Sequence, residues 1–374
     1  MAGIYLHIPF CKQACHYCNF HFSTSLQRKS EMVSAIQQEL ELQKDYLKGE
    51  IIETIYFGGG TPSLLSQGDL EAIFASINQY YTVNKSVEIT LEANPDDLTT
   101  EKLEILAASP VNRLSIGVQS FFEEDLNFMN RAHNATEAIE CIQNAKNKGF
   151  FNLTVDLIYG SPTTSMERWQ TNLQTIFDLK ISHISCYCLT VEPKTALDHF
   201  VKTGKAEPVD EEQAAQQFEM LVEEMEKNGY DHYEISNFAL PGCYSKHNSS
   251  YWLGKKYLGV GPSAHSFDGV SRQWNVANNA KYMTALAKNE LPFEKEILTP
   301  TQQYDEYILT SLRTIWGCEL NRISDFGEKF EKYFLKNVHP YLKNETVFEK
   351  EGYYFLTKNG KLLADKISME LFFE

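Results

Sequence analysis

Cys11-Lys12-Gln13-Ala14-Cys15-His16-Tyr17-Cys18 places three cysteines at C-x3-C-x2-C spacing on one short loop. Three thiolates so close in sequence make a soft-metal site that lacks a fourth protein ligand. Zinc would take that ligand from His7, His16 or His21, yet structural zinc sites usually pair two ligand groups far apart in sequence, and no second C-x2-C follows. A redox dithiol needs two cysteines, not three. An iron–sulfur cluster suits the spacing better. With three protein ligands, a cubane keeps one iron open to a substrate-like molecule.

Further candidates fall where apolar runs end. Gly58-Gly59-Gly60-Thr61-Pro62 follows Ile51–Phe57 and lets a backbone approach a ligand closely, although alone it reads equally as a tight turn. It is neither a P-loop nor G-x-G-x-x-G, so a nucleoside triphosphate or dinucleotide is poorly supported. Glu92, Gln119 and Asp156 each stand at or near a run's end, as ligand-orienting polar groups do. Each singly is more often a cap or a surface residue; three on successive units point to a site.

The elements that must position these residues follow a β-α rhythm. Apolar runs at Ile4–Ile8, Ile51–Phe57, Val87–Leu91, Arg113–Val118, Leu153–Ile158 and His183–Leu189 read as strands, with Tyr233–Phe238 as one more. Helical periodicity fills the gaps over 30–48, 66–80, 100–108, 135–148 and 211–228, and Trp169, Leu173, Ile176 and Phe177 mark another helix. The expectation is an α/β fold, a partial (β/α)6-type barrel with its site at the strands' C-terminal ends. Beyond about residue 295 the alternation stops. Helical faces there, a hairpin over Tyr353–Thr357 with Asn359-Gly360, and a last helix over Leu362–Leu371 suggest a smaller, winged-helix-like C-terminal domain. Three parts are expected: 1–240, a connecting segment 241–294, and 295–374.

Composition excludes several functions. The formal net charge of −16 argues against nucleic acid, and 301–374 holds 10 Lys/Arg against 12 Asp/Glu, disfavouring DNA binding by the winged part. No run of about eighteen apolar residues is present to span a membrane. The N-terminal Met1-Ala2-Gly3-Ile4 does not read as a secretory signal, so a cytoplasmic, reducing setting is expected for the eight cysteines. Cys141, Cys186, Cys188, Cys243 and Cys318 read as small buried hydrophobes, with Cys186 and Cys188 on one strand face.

Taken together, Tyr5-x-His7-x-Pro9-Phe10-Cys11-x3-Cys15-x-Tyr17-Cys18 and Gly58-Gly59-Gly60-Thr61-Pro62 resemble the radical S-adenosylmethionine proteins. Ile116–Phe121, Asn130-Arg131 and Asp156–Gly160 narrow the likeness to the coproporphyrinogen III dehydrogenase-like branch. The resemblance runs from about Tyr5 to the C-terminus. It implies a [4Fe-4S] cluster on Cys11, Cys15 and Cys18, with S-adenosylmethionine chelating the open iron. It also implies that Tyr5, Tyr17, Gly59, Gly60, Thr61, Glu92, Gln119, Arg131 and Asp156 surround that molecule. Glu92 would accept from its ammonium, Arg131 offset its carboxylate and Asp156 hold ribose hydroxyls. Reductive cleavage of the sulfonium would be chemistry supplied by the cofactor.

One departure divides this branch. Its porphyrinogen-oxidising members carry a further cysteine two residues past the third; here that position is Phe20. His247-Asn248-Ser249-Ser250-Tyr251-Trp252 instead resembles the H-N-x-x-Y-W motif of the branch's heme chaperones, and Gly259–Ser266 suits them as well. From residue type alone His247 reads as a structural histidine. The resemblance makes it a heme ligand, with Tyr251 and Trp252 covering the porphyrin and His265 a secondary candidate. The implied function is heme binding and transfer to an acceptor hemoprotein, such as a membrane respiratory enzyme, by a chain free to form a homodimer. The implied alternative is an oxygen-independent coproporphyrinogen III dehydrogenase.

Overall fold

In the computed structural model, residues 2–374 are described. Six strands run parallel in sequential order: β1 (Ala2–Ile8), β2 (Ile52–Gly59), β3 (Val83–Ala93), β4 (Arg113–Gln119), β5 (Leu153–Tyr159) and β6 (His183–Cys188). Helices connect them, among them Gln67–Tyr80 and Ala135–Asn147, each begun by a reciprocal capping box. The partial (β/α)6 barrel is therefore present as expected.

The strands are two-sided, and the two sides differ in chemistry. Ile4, Leu6, Ile8, Ile55 and Phe57 alternate outward and bury against Ile36, Leu40, Ile73 and Ile77 of the covering helices. The opposite face is mostly polar. Tyr5 lies beside Tyr56, Tyr56 beside Thr90, and Thr90 beside Arg113. One row further on, Glu92 adjoins Ser115, and Asp156 lies between Gly117 and Ser185. A polar concave face with an apolar convex one means that the helices carry the core and leave the inside of the barrel for a ligand.

The sheet is wider than the barrel. Beyond β6, the stretch read as a seventh strand folds into two short antiparallel strands, β7 (Asp231–Glu234) and β8 (Asn237–Ala239), because Ile235-Ser236 makes a turn. On the other edge β9 (Lys256–Val260) pairs parallel with β1. β10 (His265–Phe267), β11 (Ser271–Asn275) and β12 (Phe293–Ile297) extend it antiparallel. Residues 241–294 thus build a sheet edge and do more than connect.

A smaller C-terminal domain follows, with its own core of Tyr304, Ile308, Leu312, Phe330, Phe334 and Ile367 among others. Its three-stranded antiparallel sheet takes Cys318–Glu319, Val347–Lys350 and Tyr353–Leu356. The hairpin turn falls at Glu351 and Gly352, both with positive φ, and not at Asn359-Gly360. Those two residues lie inside a short helix, Lys358–Lys361, capped by Thr357. A Cβ at Gly360 would lie 1.9 Å from the Thr346 carbonyl oxygen, so the glycine serves close packing there.

Candidate cluster and cofactor site

The cysteine loop leaves β1 at Pro9 and is tied down at several points. The Cys11 N–H donates to the Ser23 carbonyl at 3.0 Å, and Ser23 N–H to the Pro9 carbonyl at 2.9 Å. From the far side, Asn130 donates to the Ala14 carbonyl at 2.7 Å and accepts from Gln13 at 2.9 Å. His16 donates its backbone N–H to Met129 at 3.1 Å. All three thiols are free and partly exposed. Burial pushes the Cys11 thiol up to about 11, against a hydrogen bond from Thr61 that lowers it. Among the described residues no three His, Cys, Asp or Glu side chains are already arranged around a single ion position. A cubane would take each of the three thiolates at a separate corner.

Arg131 is the hub behind the loop. One guanidinium nitrogen donates to Cys15 Sγ at 3.1 Å, and the other donates to Asn94 Oδ1 at 2.7 Å and the Gly117 carbonyl at 2.6 Å. Its Nε is buried without a partner. Asn94 in turn donates to the Thr61 hydroxyl at 3.2 Å, linking the ends of β2, β3 and β4. Sequence reasoning passed over Asn94, which directly follows β3 and precedes Pro95.

Glycine at 59 and 60 is required by space and by backbone. Gly59 has φ +100°, and a Cβ there would lie 2.5 Å from the His7 ring. At Gly60 a Cβ would fall 2.6 Å from the Phe10 carbonyl oxygen and 2.7 Å from that of Ile8. Gln119 is non-glycine yet holds φ +70°, where β4 slips register against β5. The strain turns its buried side chain at the strand end, and its Nε2 stands 3.0 Å from where a Gly117 Cβ would be.

Two carboxyl groups face the inside of the barrel. Glu92 accepts from the Tyr56 hydroxyl at 2.8 Å, and burial, reinforced by Asp156, raises it to about 7. Tyr56 is a second residue that sequence reasoning missed; its place two residues before Gly58 puts it on the same face. Asp156 is raised to about 6, chiefly by burial, with Ser185 and Ser115 hydroxyls opposing the shift. Tyr5 and Tyr56 stack 6.1 Å apart beside them. An ammonium-bearing ligand would restore ionised Glu92 by pairing with it. Free thiols, a glycine cradle and paired carboxyls therefore fit both a cluster and S-adenosylmethionine.

His247 lies elsewhere. It is the second residue of the short helix Lys246–Trp252 beneath β1 and β2, 2 % exposed. Its Nδ1 pairs with the Thr54 hydroxyl at 2.8 Å and its Nε2 with the Tyr251 hydroxyl at 2.8 Å. Its ring stacks on Tyr56 at 4.9 Å, and desolvation lowers it to about 3. Both nitrogens are engaged inside the protein, and the residue does not reach the neighbouring cavity. Tyr251 and Trp252 do reach it.

That cavity, about 900 Å³, opens between the barrel and the C-terminal domain. Tyr5, His7 and Phe20 form its barrel side, Tyr257, His265 and Arg272 the sheet edge, and Tyr307 and Trp316 the C-terminal side. Arg313 lies 4.6 Å over the Trp252 ring and pairs with buried Glu234 at 2.7 Å, holding the C-terminal wall to the hairpin of β7 and β8. Of the scattered cysteines, Cys141, Cys186 and Cys318 are buried as expected, whereas Cys188 is exposed and Cys243 partly so. Cys188 ends β6, past the cover that shields Cys186.

Residues 5–176 match the sequence profile of the Radical SAM superfamily. The chain is 33% identical over 371 residues to the heme chaperone HemW of Bacillus subtilis (strain 168), covering 98% of both chains. It is also 33% identical over 265 residues to the mitochondrial radical S-adenosyl methionine domain-containing protein 1 of Danio rerio, covering 71% of this chain and 60% of that one. In fold it is similar to the coproporphyrinogen III oxidase HemN of Escherichia coli, with TM-score 0.87, 23% identity, and coverage of 99% of this chain and 90% of that one. With the cysteine loop and glycine cradle in place and a third of its residues shared end to end, this chain belongs to the HemW family of heme chaperones within the radical SAM superfamily.

Proposed function

We propose that the protein binds heme and passes it to an acceptor hemoprotein, with a [4Fe-4S] cluster on Cys11, Cys15 and Cys18 and S-adenosylmethionine against it. The observation that carries this reading is the cavity of about 900 Å³ beside the cluster loop, walled by aromatic rings and basic side chains. That volume lies in the range of small-molecule and cofactor sites, roughly 300–1,000 Å³. Tyr251 and Trp252 supply flat apolar surface for a tetrapyrrole, and Arg272 and Lys255 supply charge opposite its carboxylates. His247 supports Tyr251 from behind through their hydrogen bond.

Tyr5, Tyr17, Gly59, Gly60, Thr61, Glu92, Gln119, Arg131 and Asp156 would hold S-adenosylmethionine. A reduced cluster with that molecule bound supplies one-electron chemistry. The chain's own contribution is positional: Arg131 orients Cys15, Glu92 takes the ammonium, and Tyr5 stands both in the cofactor site and in the cavity wall. Phe20, 68% exposed at the cavity, occupies the position where the porphyrinogen-oxidising relatives have cysteine. In this reading the chaperone works in the cytoplasm and meets its acceptor at the membrane surface; among the described residues no helix is long and apolar enough to cross a bilayer.

Anaerobic reconstitution followed by heme titration tests the proposal. Stoichiometric heme binding, retained without turnover of coproporphyrinogen III, is the expected result. Formation of protoporphyrinogen IX would replace this reading with the dehydrogenase one.

A further inference from the structure

Three histidines line the cavity: His7, His21 and His265. Two are committed to the fold. His7 Nε2 donates to the His21 carbonyl at 2.8 Å, and its Nδ1 faces the Tyr5 hydroxyl at 3.3 Å. His21 Nε2 is held by Asn279 Oδ1 at 2.7 Å. His265 differs: it is exposed, and neither ring nitrogen has a hydrogen bond to any described residue. Its ring is steadied from the side by Trp274, directly across the β10–β11 ladder, at 6.2 Å and 28°.

The strand places more than a histidine there. Phe267, two residues on, shares the face of His265 and pairs laterally with Arg272 on β11 and Tyr257 on β9. All four residues line the cavity. One sheet face thus presents an open imidazole, two aromatic rings and a guanidinium. Arg272 is paired with Glu306 at 2.9 Å on the opposite wall, while Lys255, also at the cavity, has no ion pair among the described residues.

We propose that His265 is the axial ligand to the iron of a tetrapyrrole bound in this cavity, with Tyr257 and Phe267 against the ring and Arg272 and Lys255 toward its carboxylates. Imidazole is a common proximal ligand of heme iron, and it must be neutral with a free nitrogen to serve. Partial desolvation at the cavity wall and the neighbouring Arg272 hold His265 below its ordinary value, which favours the neutral form. His247 cannot serve unless it gives up two hydrogen bonds and leaves a position that is 2 % exposed. This assignment rests on the heme-binding reading above.

The test titrates the reconstituted full chain with hemin and follows the Soret band and the electron paramagnetic resonance of the iron. Wild type, His265→Ala, His265→Met and His247→Asn are compared. Expected are an affinity loss of at least tenfold and a displaced Soret band in His265→Ala, restored by added imidazole, and a different spectral signature in His265→Met. His247→Asn is expected to keep the wild-type axial-ligand signature, with an affinity loss smaller than that of His265→Ala because His247 only backs Tyr251, and to melt at lower temperature. A wild-type spectrum and affinity in His265→Ala, with wild type binding hemin, overturns the ligand assignment alone. Failure of wild type to bind hemin overturns the heme reading and the assignment with it.

Discussion

Glu92 shows how one buried carboxyl sets both stability and affinity. Its ordinary value of 4.5 rises to about 7 in the fold, chiefly through burial. The folded protein therefore holds a proton that the unfolded chain releases between these values. Stability from this group is complete below pH 4.5 and declines as pH rises through about 7. Glu92→Gln should remove the decline, raising apoprotein stability at pH 8 by on the order of 1–3 kcal/mol, while weakening S-adenosylmethionine binding at least tenfold. Thermal melts across pH 5–8, paired with ligand titration, check both arms. A mutant with the wild-type pH slope would mean that Glu92 is solvated.

At the scale of elements, the cysteine loop depends on the β2 end as much as on its own residues. Gly60 N–H donates to the Ile8 carbonyl at 2.9 Å, so β1, the loop and the glycine turn close as one unit. A Cβ at Gly60 would meet the backbone of Phe10 and Ile8 at under 3 Å, and backbone cannot step aside as a flexible side chain can. Gly60→Ala should leave far-ultraviolet dichroism unchanged but lower the iron and sulfide retained on reconstitution several-fold. Gly68→Ala is the matching control. It lies in the helix Gln67–Tyr80 with nothing within 4 Å, and should keep full iron content and gain roughly 0.5–1 kcal/mol. Equal cluster loading in the two variants would count against the cradle.

At the scale of the whole molecule, the Arg313 side chain joins backbone bonds from Ile235 to Arg313 and from Ile315 to Tyr233 in holding the C-terminal domain to the barrel. Its Nε donates to Glu234, which is 1% exposed and also accepts from the Ser236 N–H and from Asn237. Removing the cation strands a buried carboxylate, so Arg313→Met should destabilise by about 3–5 kcal/mol. Adding Glu234→Gln should recover part of that loss, since the uncompensated charge disappears with it. Denaturant unfolding of the two single variants and the double variant measures the coupling. Strictly additive losses would show that the pair does not clamp the C-terminal domain to the barrel. The same arginine covers Trp252, so a loosened clamp should also speed heme release from the cavity.

Much of this was legible in the residues. The C-x3-C-x2-C loop, the β-α rhythm and the polar strand ends are local properties, carried by types and spacings that any fold must respect. Even the polar inner face stands in the alternation Thr154-Val155-Asp156 and His183-Ile184-Ser185. What lay beyond the sequence depends on which distant segments meet. The turn at Ile235-Ser236, the hairpin turn at Glu351-Gly352 and the sheet edge formed by 256–297 were each settled by packing and long-range pairing, which override local pattern. The two histidines make the point most sharply. In sequence, His247 stands in the stronger motif and His265 reads as secondary. Only the tertiary structure turns the first beneath β2 with both nitrogens satisfied and leaves the second open at a cavity, because burial and hydrogen bonding are properties of the assembled chain.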